Sequence, residues 1–200
     1  MAEARDARSR LYAMAERQAG YFTAGQACEA GYSYAAQAYH HKAGHWLRDG
    51  WGIYRLARFP SSPHEEFVRL RLWSRDRSGE SRAVVSHESA LELYELSDVL
   101  PAEVHLTVPK GFRKTPPDGV ALYRADLAPG DVREWEGLAV TEPLRTLLDV
   151  AASTLSPEHL EAATLEALDR GLVRRAALAK AIREAPGGVT ERFGFLESSA

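Results

Sequence analysis

Two hundred residues, 45% of them hydrophobic and 26% charged, describe one large or two small globular domains. No apolar run approaches the eighteen or so residues that span a bilayer, and the opening MAEARDARSR lacks the apolar core of a signal peptide, so a cytoplasmic chain with no membrane partner is expected. Cys28 is the single cysteine and excludes an internal disulfide. The net charge of −3 hides an asymmetry: residues 1–60 hold eight basic and five acidic side chains, or +3, and the remainder seventeen and twenty-three, or −6. A basic front on an acidic remainder suits a nucleic-acid module joined to a part that faces another partner.

In chain order, Leu11, Met14 and Ala15 recur at helical spacing and predict an amphipathic helix over residues 5 to 18, closed by Gly20. Thr23 reads as the N-cap of a short helix from Ala24 to Ala30, which Gly31 stops where a left-handed residue is least costly. Ser33 caps a third helix running to about Gly44. From Trp46 to Leu56 the pattern alternates around Asp49-Gly50, a dipeptide suited to the primed turn of a β-hairpin, with Trp46 and Trp51 as cross-strand packing residues. The expected core is Leu11, Met14, Phe22, Ala27, Ala35, Ala38, Leu47 and Tyr54. Three helices and a hairpin in this order are those of a winged helix-turn-helix over residues 1–60, bounded by Phe59-Pro60-Ser61-Ser62-Pro63.

Such a domain lays its third helix in the major groove, N-terminal residues nearest the bases. The candidates for contact with double-stranded DNA are therefore Ser33, Tyr34, Gln37, His40, His41 and Lys42 on that helix, and Arg48 and Arg55 on the hairpin. Gln37 can pair bidentately with adenine, and Ser33 and Tyr34 can reach phosphate or base. Lys42, Arg48 and Arg55 are expected at phosphates, which give affinity without sequence information. His41 and His45 stand four apart, but Lys42 occupies the position where a zinc-protease helix carries glutamate, and no metal is expected.

Beyond the boundary, Glu65 to Trp73 reads as a helix, Ala83-Val84-Val85 as an apolar run, and Ser86 to Leu96 as a helix. Val104 to Val108 and Val120 to Ala125 alternate as strands, and Val132–Trp135 and Leu138–Val140 flank the turn Glu136-Gly137. Helices start at Thr141-Glu142-Pro143 and Ser156-Pro157-Glu158, the second stopped by Gly171; a last helix spans Arg174 to Glu184. The tail from Pro186 is expected to fray. The fold class is α+β: an N-terminal winged helix-turn-helix, a mixed α/β C-terminal domain over 61–185, and a flexible tail over 186–200. Ser86-His87-Glu88-Ser89 has a catalytic look, but Ser86 reads as a helix cap and Glu88 as a first-turn acid, with His87 expected near Thr141-Glu142. No further acid or base is spaced to complete a triad, so no catalytic residue and no cofactor are expected. Arg145 and Asp149, four apart, read as an ion pair.

The stretches FTAGQACEAGYS…HWLRDGWGIYRL, AVVSHESALELYELSDVLPAEVHLTVP and GLAVTEPLRTLLDVA, taken in order over residues 8 to 175, resemble the AbiEi-like antitoxins of type IV toxin–antitoxin (abortive infection) systems. Each motif is mostly structural; their order and spacing carry the resemblance. It implies a winged helix that binds inverted repeats in its own operon's promoter, as a homodimer on DNA, and represses it. It further implies an α/β C-terminal domain needed for antitoxin action, and a nucleotidyltransferase-like toxin neutralised without a stable complex. On this chain the recognition helix is then Ser33 to Gly44 and the wing Leu47 to Leu56. Two rivals stay open from the residues alone. A metal-dependent nuclease would use acids such as Asp118, Asp126 and Asp131, although no E-x-K pattern follows them; a protein-interaction adaptor would use the acidic half.

Overall fold

In a computed structural model, which describes residues 2–50, 52–98 and 101–196, the chain forms two compact units, Met1–Arg82 and Ala83–Ala200. The architecture is mixed α+β. Among the described residues no helix is long and apolar enough to cross a membrane.

The first unit contains helices α1 (Ala2–Glu16), α2 (Ala24–Ala30), α3 (Tyr34–Lys42) and α4 (Glu65–Trp73), with strands β1 (Tyr21–Thr23), β2 (Trp46–Gly50) and β3 (Ile53–Leu56). Thr23 ends β1 and caps α2 in one residue: its hydroxyl accepts from Gln26 N while the Gln26 side chain accepts from Thr23 N. Gly31, at φ 107°, stops α2 in the left-handed conformation that a side chain disfavours. The three strands form an antiparallel sheet in the order β1-β3-β2. The first of them carries no signal in the sequence, because three residues are too few to show alternation. The hairpin turn also lies further along than Asp49-Gly50: the register shifts between Arg48 and Gly50, so Asp49 sits at a bulge inside β2. Trp51 lies outside the described residues.

The core joins Leu11, Ala15, Phe22, Ala27, Ala30 and Trp46, with Tyr32, Tyr54 and Leu56 packed against it. Ala35, Ala38 and Leu47, expected inside, are exposed. Aromatic rings fill the space that these small residues could not: Phe22 meets Trp46 edge-on at 4.8 Å and stacks with Tyr54 at 5.9 Å. The proline- and serine-rich segment at 59–63, expected to end this domain at residue 60, instead connects parts of one unit. Phe67 and Leu70 of α4 are buried, α4 packs against β1 and β3, and Arg55 pairs with Glu65 at 3.1 Å. The division falls at Arg82/Ala83.

The second unit is built on a five-stranded mixed sheet of order β6-β5-β4-β8-β7, from β4 (Val84–Val85), β5 (Val104–Val108), β6 (Val120–Arg124), β7 (Val132–Trp135) and β8 (Leu138–Thr141). The helices are α5 (His87–Leu93), α6 (Pro143–Ala151), α7 (Pro157–Asp169), α8 (Arg175–Glu184) and the short α9 (Gly187–Glu191). Strands β4 and β8 run parallel and side by side, and each leads directly into a helix, α5 and α6. Glu136 and Gly137, both at positive φ, turn β7 into β8 as the sequence predicts. The expected flexible tail is structured as far as residue 196. Val189 and Phe193 are buried, and Arg192 donates to the carbonyl oxygens of Ser153 and Leu155. These two apolar side chains, five and nine residues beyond the last predicted helix, gave no periodic signal, but they suffice to dock the segment.

Gly20 has φ +85°, and a Cβ there would lie 2.5 to 2.8 Å from three side-chain carbons of Phe59. Gly20→Ala is therefore expected to lower stability by about 2 kcal/mol or more, combining backbone strain with collision. Gly130→Ala, in open space, should change it by under about 0.5 kcal/mol. Thermal unfolding of the two variants checks the contrast.

Candidate nucleic-acid interface

The turn Gly31-Tyr32-Ser33 joins α2 to α3, and the Ser33 hydroxyl accepts from Ala36 N at 3.2 Å as the N-cap. Gln37, expected to read adenine, is only 2% exposed. Its Nε2 donates to Ala24 O at 3.1 Å, Cys28 Sγ at 3.2 Å and Tyr32 O at 3.3 Å, and its Oε1 has no partner among the described residues. It is a structural anchor between α2 and α3, out of reach of any base. With Gln37 inward, Tyr34, Ala35, Ala38, Tyr39, His41 and Lys42 are outward; Tyr34 is 73% exposed and Tyr39 65%. Sequence reasoning passed over Tyr39 and assigned the two alanines to the core. A signal was there: Tyr34 and Lys42, eight apart, share a face on which Ala38 lies midway and Gln37 does not.

The remaining candidates divide. His40 is half-buried, stacked on Trp46 at 4.8 Å with its Nδ1 3.1 Å from His45 Nδ1; burial first, then His45 and Arg8, lower its pKa. It belongs to the packing beneath α3. His41 is exposed, with Nδ1 3.2 Å from Trp46 O; the carbonyl can only accept, so Nδ1 carries a proton and Nε2 is left at the surface. Lys42 and Arg48 are exposed and form no ion pair among the described residues. Arg55, expected at a phosphate, is turned inward instead: it pairs with Glu65 at 3.1 Å, donates to Pro60 O and lies over the Tyr21 ring. The sequence could not foresee this, because its partner stands beyond the expected boundary. The exposed Arg8 of α1, close enough to act electrostatically on Tyr32 and His40, is a cation near α3 that local reading missed.

The second unit gathers a polar cluster where β4 enters α5. Ser86 is fully buried and accepts from Thr107 at 2.8 Å, and its hydroxyl lies 2.9 Å from His87 Nδ1. His87 stacks on Tyr123 at 3.5 Å and has φ +52°. Burial pushes the His87 pKa down to about 4, which keeps the ring neutral, with Nδ1 available to accept the Ser86 hydroxyl proton. Glu88 pairs with His105 and accepts from Ser153 at 2.9 Å; although burial raises its pKa, these bonds bring it down to about 2. Asp149 and Asp131 both bind Arg145, at 2.8 and 3.0 Å. Ser86 thus has its hydroxyl enclosed between Thr107 and His87, tying the helix start to the sheet. Asp126, named with Asp131 for a nuclease, lies by Lys110. Among the described residues no three His, Cys, Asp or Glu side chains converge to hold a metal.

Residues 83–196, more than half of the chain and coincident with the second unit, match the family model of the AbiEi antitoxin C-terminal domain. The chain belongs to the AbiEi antitoxin family. The matched domain supports a type IV antitoxin role. The fold of this AbiEi antitoxin is similar to the crystal structure of the RV2827C protein from Mycobacterium tuberculosis, with a TM-score of 0.62 at 18% identity, over 96% of this chain and 76% of that one. No curated protein matches the chain.

Two outcomes test the roles assigned to buried polar groups in this AbiEi antitoxin. Gln37→Ala should cost about 2 to 3 kcal/mol in chemical denaturation, through lost hydrogen bonds and a cavity, whereas Tyr34→Ala should cost under about 0.5. His87 has a folded pKa below its ordinary value of 6.5, so its contribution is present above pH 6.5 and lost as the pH falls towards about 4. That loss is on the order of 3 kcal/mol. Glu88 adds a second loss as the pH falls from 4.5 to about 2. His87→Asn, which tolerates positive φ, should flatten unfolding-temperature profiles above pH 4.5 and leave the lower limb.

Proposed function

We propose that residues 1–82 form a winged helix-turn-helix that binds inverted repeats in the promoter of its own operon and represses it. The full chain then acts as a non-catalytic type IV antitoxin against a nucleotidyltransferase-like toxin. The observation that carries this reading is the orientation of α3. Gln37 locks one side onto α2, leaving a polar and aromatic face with Lys42 at its C-terminal end, next to a hairpin bearing the exposed Arg48. Helix α3 occupies the major groove, Tyr34, Tyr39 and His41 meet the bases or sugars, and Lys42 and Arg48, joined by Arg8, meet phosphates. Two copies, one on each half-site, match an inverted repeat. His40 and Arg55 serve from beneath, holding Trp46 and α4, and Ser33 presents its cap at the entry to the groove. The second unit carries the antitoxin role. Its cluster around Ser86 and His87 acts as a structural pin, since Ser86 is enclosed and bonded on both sides.

Gel shifts with duplex DNA from immediately upstream of the operon provide the test. A specific complex is expected whose log affinity falls linearly with log salt, and Lys42→Ala and Arg48→Ala should each reduce that slope by about one unit on specific and random duplexes alike. Binding of upstream and random duplexes that is equally weak and independent of salt would sink the repressor reading and favour a protein-binding adaptor.

A further inference from the structure

The outward face of α3 has an unusual chemistry for a helix that reads bases. At 3.6 residues per turn its exposed positions run His41, Tyr34, Ala38, Lys42, Ala35, Tyr39 across an arc of about 160°. None is Asn, Gln, Arg, Asp or Glu, and the one side chain here that can read a base edge by paired hydrogen bonds, Lys42, stands at the C-terminal end of the helix, where the proposed docking gives it to a phosphate. The one glutamine of the helix is buried as an anchor, and the Ser33 hydroxyl is occupied in capping Ala36 N. N-terminal to Lys42, the part of the face between the two tyrosine rings therefore offers two methyl groups, those of Ala35 and Ala38. Tyr34 and Tyr39 are the most exposed large apolar side chains among the described residues. Side chains as short as alanine let the helix backbone come close to the groove floor. What they meet there must be recognised without a donor or an acceptor, and in the major groove only the C5-methyl group of thymine offers that.

We infer that α3 selects thymine through its methyl group, the half-site carrying thymines opposite Ala35 and Ala38 with the rings of Tyr34 and Tyr39 closing over them. This rests on the proposed entry of α3 into the major groove. Hydrogen bonding is left to the two tyrosine hydroxyls and the surface Nε2 of His41 at the margins of the face, and to Lys42 at its C-terminal end. Specificity then lies in methyl burial, and uracil, which pairs as thymine does but lacks the methyl, is discriminated against.

The test uses the full chain to enrich duplexes from a randomised double-stranded pool, then resynthesises the best duplex with deoxyuridine replacing thymidine at one position at a time. At two or more positions of each half-site the affinity is expected to fall about fourfold per missing methyl. Ala38→Ser and Ala35→Ser, mild changes on an exposed helix face, should each abolish the thymine-over-uracil preference at one of those positions while leaving the helical circular dichroism unchanged. Equal affinity for thymine and uracil at every position, with a specific duplex still enriched, would overturn methyl readout and leave the repressor reading standing. Failure to enrich any duplex would overturn both.

Discussion

The amide of Gln37 donates to the carbonyl oxygens of Ala24 and Tyr32 and to the sulfur of Cys28, and the surface of the first unit follows from the rotation of α3 that these bonds impose. A helix of nine residues with three alanines on it has little hydrophobic reason to prefer one face. A buried amide supplies that reason, because withdrawing it from its acceptors would strand polar groups away from water. Hydrogen bonding decides the orientation of α3, and apolar packing accommodates it.

The packing that accommodates it is aromatic. Phe22, Tyr32, Trp46 and Tyr54 come from β1, the turn before α3, β2 and β3; Phe22 and Tyr54 were expected inside, and Tyr32 and Trp46 take the place expected of Ala35, Ala38 and Leu47. His40 lies flat on Trp46, its ring used as part of the core. Rings in contact from four segments fix the hairpin relative to α3, so the exposed cations at Lys42 and Arg48 are held on defined supports. Helix α4 extends the same scheme: Arg55 and Asp49 on the hairpin pair with Glu65 and Arg69, which draws the segment after the prolines back onto the sheet.

In the second unit the corresponding pins stand at strand ends. Ser86, Thr107 and His87 bind the start of α5 to β5 and β6, while Tyr94 donates to Thr141 O and Thr141 bonds Thr146 at the start of α6. Two parallel strands lead into two helices side by side, and each junction is closed by a short hydroxyl network. Such a network holds helix to sheet where apolar contact is thin. It also accounts for a serine, histidine and glutamate run that resembles catalytic machinery and is built as a joint.

Local chemistry alone determined much of this protein. The caps at Thr23, Ser33 and Ser156, the stops at Gly31 and Gly171, the turn at Glu136-Gly137 and the pair of Arg145 with Asp149 depend on residues within a few positions of each other. The order of helices, hairpin and strands was legible for the same reason. What lay across longer separations was not: the side of α3 that faces inward, the inward turn of Arg55 towards Glu65, the strand at Tyr21–Thr23 and the docking of residues 187–196. Each was decided by a partner from another element, and helical periodicity cannot choose between an alanine face and an amide face until that partner is in place. Sequence could name the helix of the candidate surface, while tertiary contacts selected which of its residues face solvent.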